Sequence, residues 1–123
     1  MSTLRLTTIS NQTGSSSVPS ETVINGSAKA WVNFNGTGTV AIRASFNVSS
    51  ITDNAVGDYT VNLTNAMSDA NYSVSAIGDS SGARQNTFAR IFSTLSTNLY
   101  QLKFADDQST LIDPVTACSS ILR

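Results

Sequence analysis

Histidine is absent from this chain, and cysteine occurs once, at Cys118, among 123 residues. Without imidazole, the usual proton shuttle near neutral pH and the commonest metal ligand are both missing. Ser-His-Asp and Cys-His catalysis are therefore excluded, together with zinc held by His or by paired Cys. One cysteine closes no intramolecular disulfide, so the chain is not a stapled secreted scaffold. Charge is scarce as well: seven Lys+Arg face eight Asp+Glu, and charged residues make only 12% of the chain. Such a balance gives no long-range attraction to nucleic acid or to an anionic membrane surface. No apolar run approaches the roughly 20 residues that span a bilayer. The start Met1-Ser2-Thr3-Leu4-Arg5 lacks the apolar stretch of a signal peptide. A chain soluble as made, without membrane insertion, is the expectation.

What fills the place of charge is short polar side chains. Ser, Thr and Asn number 20, 15 and 11, together more than a third of the chain. These groups lose less rotamer entropy than Lys or Glu when immobilised, which suits close packing against neighbours or against a sugar-coated surface. Composition thus favours assembly or adhesion over catalysis.

The length suits one domain of ordinary size, and two segments are expected within it. Residues 1–27 read as an N-terminal anchoring segment and linker. Leu4, Leu6 and Ile9 form a short apolar patch, followed by a Ser/Gly-rich stretch from Asn11 to Ser20 of flexible-linker composition. Residues 28–123 read as the body. Ala28, Ala30, Val32 and Phe34 alternate with polar residues and with Trp31, which predicts a strand with one inward face. Asn35-Gly36-Thr37-Gly38 predicts a hairpin turn. Val40, Ile42, Ala44, Phe46 and Val48 keep one parity and predict a single long half-buried strand, with a bulge or change of sheet near Ile51.

Residues 53–58 are expected to be a loop, Tyr59, Val61 and Leu63 the inward face of a strand, and 65–71 a reversal with a helical turn. Tyr72 to Ala76, Phe88 to Phe92, Tyr100 to Phe104 and Val115 to Leu122 complete the candidate strands. No segment shows a sustained helical period. The fold class is accordingly all-β, an antiparallel β-sandwich or jelly-roll-like domain of about six to eight strands behind a short N-terminal anchoring strand.

Trp31 and Tyr59 fit a core, a subunit interface or a sugar-stacking site, and Phe88, Arg90 and Phe92 alternate with Ala89 and Ile91, so that both faces of their strand carry apolar bulk. All five are interface candidates. Asp79, Ser80, Ser81, Arg84 and Gln85 lie in the most polar loop and are candidates for an exposed tip. Asp53, Asp58, Asp106 and Asp107 are the carboxylates a glycoside hydrolase or a calcium site would need, but all occupy turn positions, where Asp serves the local backbone. No catalytic residue, metal or cofactor is expected.

The run from Ala28-Lys29-Ala30-Trp31-Val32-Asn33-Phe34-Asn35-Gly36 through Arg43, continuing over Ser45 to Asn54 and Gly57-Asp58-Tyr59-Thr60-Val61-Asn62, resembles a module of tailed-bacteriophage and prophage virion proteins of the tail-fibre-like type. Asp69-Ala70-Asn71-Tyr72 belongs to the same likeness, and Ser2 to Ile9 is similar to the short leader of those proteins. The resemblance covers about Ala28 to Val74; beyond it, fibre-like proteins carry variable tips. It implies a non-enzymatic structural protein of the virion, assembled in the bacterial host cytoplasm as a homotrimer. Leu4, Leu6 and Ile9 would anchor it to other virion proteins, and the body would contact a host-surface glycan or protein. A head decoration or cement protein, or a head fibre, is the alternative; a carbohydrate-processing enzyme is a more distant one.

Overall fold

Alternating apolar residues from two four-stranded antiparallel sheets meet face to face and form the core. The computed structural model describes residues 2–79 and 88–123, the side chains of Phe88 and of 90–94 excepted. Ahead of the body, β1 (Thr8–Ser10) and β2 (Ser17–Pro19) pair as a small hairpin, and α1 (Ser20–Gly26) follows directly. The expected flexible linker is thus an ordered turn. Asn11 organises it through its side chain, which reaches Ser15 Oγ at 3.0 Å and accepts the Ser16 N–H at 3.3 Å. The unforeseen helix starts at Ser20, after Pro19, which caps it in extended backbone at φ −57° and ψ 141°.

In the body, β3 (Ala28–Asn35), β4 (Ala41–Phe46), β7 (Ser73–Asp79) and β10 (Thr116–Leu122) form the first sheet in the order β4-β3-β10-β7. The second sheet has the order β5-β6-β9-β8, from β5 (Val48–Ala55), β6 (Asp58–Leu63), β8 (Phe88–Leu95) and β9 (Leu99–Ala105). The all-β sandwich expected from alternation is the fold observed. Ala30, Val32 and Phe34 of β3 and Ala117 and Ile121 of β10 face Tyr59, Val61 and Leu63 of β6 and Tyr100, Leu102 and Phe104 of β9. Phe34 meets Tyr59 edge-on at 5.2 Å between ring centres, a favoured aromatic arrangement.

Tyr59, expected among the interface candidates, is fully buried in this cluster. Its inward parity decides the matter, and its hydroxyl is satisfied inside the chain by donating to Asp113 Oδ1 at 2.6 Å, with the Gly36 carbonyl 3.0 Å away.

The long strand expected from Val40 to Val48 is two strands in different sheets. Asn47, at φ +55°, turns the chain between β4 and β5. Phe46 therefore lies on the outside and Val48 in the core, although they share parity in sequence. The irregularity expected near Ile51 lies between Val48 and Ser50, just past the corner. The loop expected over 53–58 shrinks to a tight turn at Val56-Gly57, and the reversal after Leu63 is built from bends in place of a helical turn.

The sandwich has two distinct ends. Ala28, at the start of β3, pairs with Leu122, at the end of β10, so the N-terminal segment joins the body there. At the opposite end the loop through Asp113-Pro114 straps the hairpins together. Asp113 Oδ1 accepts the Gly57 N–H at 2.7 Å, and the Pro114 carbonyl accepts the Gly36 N–H at 2.9 Å.

Gly57 has φ +66°, and a Cβ there would stand 2.6 Å from the Phe104 carbonyl oxygen; Gly38 has φ +62° but open space around it. Gly38→Ala should therefore lose only the left-handed backbone cost of about 1 kcal/mol. Gly57→Ala, which adds a backbone collision, should lose well over about 2 kcal/mol. Urea unfolding of the two variants checks the difference.

Candidate functional site

The two sheets present opposite kinds of surface to the outside. On the second sheet, alternate residues of β5, β6 and β9 are amides, hydroxyls and one ion pair that bind one another. Asn62 Nδ2 donates to Ser50 Oγ at 3.1 Å and Thr52 Oγ1 at 3.0 Å, and Asn54 Nδ2 donates to Thr60 Oγ1 at 2.9 Å. Asp58 collects Gln101 Nε2 at 2.6 Å, Asn54 Nδ2 at 3.1 Å and Lys103 Nζ at 3.1 Å. Burial works to raise the Asp58 carboxyl, but these hydrogen bonds and the Lys103 charge outweigh it and hold it below its ordinary value. Across β5, β6 and β9 this face is a linked polar network.

The first sheet's outer face sets large exposed apolar side chains among short polar ones. Register places Phe46, Trp31, Ser120 and Ser75 in one row across β4, β3, β10 and β7. Ala44, Asn33, Cys118 and Ile77 form the next row. Trp31 is 40% exposed, Phe46 55% and Ile77 67%. Because β10 carries the small Cys118 and Ser120 outward at its middle, with Trp31 on one neighbouring strand and Ile77 on the other, a shallow groove of about 470 Å³ runs over it. Arg43, at a bulge in β4, reaches across to the Val115 carbonyl at 2.7 Å and Thr116 Oγ1 at 3.1 Å. Its charge is committed at the end of the sheet.

No protein-family model matches the chain. No curated protein and no solved structure matches it either.

Of the residues singled out in the sequence, Trp31 alone lines this groove. Leu4, Leu6 and Ile9 are exposed on the N-terminal segment, Leu4 at 82%. By backbone register Phe88, Arg90 and Phe92 lie opposite Ala105, Lys103 and Gln101 on β8. β8 is an edge strand of the second sheet and pairs with β9 alone, so it is not enclosed by strands on both sides. Asp79 is exposed at the end of β7, its carbonyl accepting the Val115 N–H at 2.7 Å, while Ser80, Ser81, Arg84 and Gln85 lie outside the described residues. Two of the four carboxylates hold local structure: Asp106 Oδ1 accepts the N–H groups of Gln108 and Thr110 at 3.0 and 2.8 Å, and Asp58 belongs to the polar network.

Sequence reasoning missed Phe46 and Ile77. Phe46 was masked by the unbroken parity from Val40 to Val48; the signal for Ile77 was available, since it stands out of phase with Val74 and Ala76.

Because the folded Asp58 carboxyl lies below its ordinary value of 3.8, the folded state binds fewer protons there than the unfolded state. The stabilisation is present above about pH 4 and is lost as pH falls through the acid range. Asp58→Asn should be less stable than the native chain at pH 7, and the gap should close in acid. Urea unfolding of both proteins at a series of pH values measures it.

Proposed function

We propose that this chain is a non-enzymatic adhesive and structural module of a bacteriophage virion, fibre-like, which joins the particle through its N-terminal segment and contacts the host surface with its body. The observation that carries the reading is the contrast between the outer faces. Across β5, β6 and β9 one sheet pairs its polar groups with one another, whereas the other leaves Trp31, Phe46 and Ile77 in water, Trp31 and Ile77 beside a groove. Exposed apolar groups gathered on one side of a largely uncharged molecule mark a contact surface.

Two further features support it. The N-terminal segment exposes Leu4, Leu6, Ile9, Val18, Val23 and Ile24, a concentration of apolar side chains suited to docking on another protein. That segment meets the body at the Ala28–Leu122 end, so anchoring there directs the Gly36, Gly57 and Asp113 loops away from the particle. The likeness of Ala28 to Val74 to tail-fibre-like proteins supplies the virion setting and homotrimeric assembly.

Light scattering at micromolar concentration should return about three times 12.9 kDa; a clean monomer would remove the trimer. Labelled protein should be retained on host bacteria, and Ile77→Asp should reduce retention without lowering the melting temperature. Retention unaffected by that change would place the contact elsewhere. Failure to bind any cell, with antibody labelling on the head, would favour a decoration protein.

A further inference from the structure

Resting on the adhesive reading, we propose that the groove over β10 binds an uncharged glycan, one sugar ring lying against Trp31 and its hydroxyls meeting Ser75, Ser120 and Asn33. Four observations converge on that chemistry.

The first is shape. β3 and β7 flank β10, so the two walls stand about two strand spacings apart, roughly 10 Å. With small Cys118 and Ser120 as the floor, Trp31 and Ile77 stand diagonally across β10 in adjacent rows, Trp31 facing Ser75 and Ile77 facing Asn33. The groove's volume of about 470 Å³ falls within the range of small-ligand sites, about 300–1,000 Å³.

The second is charge. No charged residue lines the groove; the Arg43 guanidinium lies at its margin, with donors on the Val115 carbonyl and on Asn33 Oδ1. A charged group seated over Cys118 and Ser120 would lose hydration without a counter-ion among the lining residues. A neutral one loses little.

The third is the state of the hydroxyls. Among the described residues, Ser75 Oγ and Ser120 Oγ make no hydrogen bond, in contrast with the interlocked Ser50, Thr52 and Thr60 of the other sheet. An apolar strand or a second copy laid on the groove would leave those two hydroxyls against carbon, at a desolvation cost. Sugar hydroxyls would engage them.

The fourth is the pairing of an aromatic wall with those hydroxyls. The C–H face of a pyranose is apolar while its rim is polar, and a tryptophan beside short hydroxyl and amide groups complements both at once.

Trp31 is the only tryptophan, so its emission reports the groove directly. Neutral oligosaccharides of glucose, of galactose and of N-acetylglucosamine, each titrated into the full chain, should include at least one that shifts Trp31 emission saturably and slows maleimide labelling of Cys118. Ser120→Val should weaken that response about tenfold at unchanged melting temperature. Ile77→Ser, at an exposed position, should weaken it severalfold and serves as the second variant.

The proposal is overturned if none of the three series moves Trp31 emission up to about 20 mM, beyond the millimolar range of a shallow sugar site. It is also overturned if Ser120→Val and Ile77→Ser bind as the native chain does. A Trp31 shift that follows protein concentration alone, in step with a rise in mass, would mean that a second copy covers the groove. In that case, or if cells retain the protein while sugars have no effect, the glycan site falls and the adhesive reading stands. Absence of sugar response, cell retention and assembly together would remove both.

Discussion

Asn47 holds the corner on which both sheets depend. A residue with left-handed backbone is needed to send β4 and β5 into different layers, and asparagine tolerates that conformation better than most side chains. Its side chain then fastens the corner: Nδ2 donates to the Lys29 carbonyl at 3.1 Å and to the Asn65 carbonyl at 3.2 Å, and Oδ1 accepts the Asn65 N–H at 2.8 Å. One amide thus ties the start of β3, the end of β4 and the exit from β6. Bulge and corner together determine which residues face water. The bulge at Arg43 sets Phe46 outward beside Trp31, and the corner then sends Val48 into the core.

The contrast between the outer faces then follows from side-chain size and reach. On β5, β6 and β9, neighbouring amides and hydroxyls lie within reach of one another across the strands and close into a network around Asp58. On the first sheet, the small Cys118 and Ser120 at the middle of β10 lie between the larger Trp31 and Ile77, so the surface is corrugated there. Both surfaces obey the same period of two, and the difference lies entirely in what occupies the outward positions.

Alternation made the interior legible. Val32 and Phe34, Val61 and Leu63, and Tyr100 to Phe104 all lie where their parity places them, because only one face of each strand can be buried. The Asn35-Gly36 turn was equally plain. Parity is blind to a corner that shifts the chain between layers without inserting a residue, which is why Val40 to Val48 read as one strand. Residue type alone was no guide for the N-terminal segment either, where Ser-rich composition concealed a turn organised by the Asn11 side chain. Trp31 was found because it opposes its apolar neighbours in phase. The rest of its surface was not, since cross-strand neighbours such as Phe46 and Ser120 become visible only once register is known.

The pairing of β3 with β10 has a kinetic side. Asn33 and Cys118 are in hydrogen-bond contact although 85 residues separate them, and β10 also provides the sole link between β3 and β7 within the first sheet. During synthesis, the first sheet must wait with two open edges until β10 leaves the ribosome. Closure of so long a loop is entropically slow. The nascent chain therefore passes through a window in which exposed strand edges invite pairing with other molecules, and its scarcity of charge makes that window a natural point for chaperone attention.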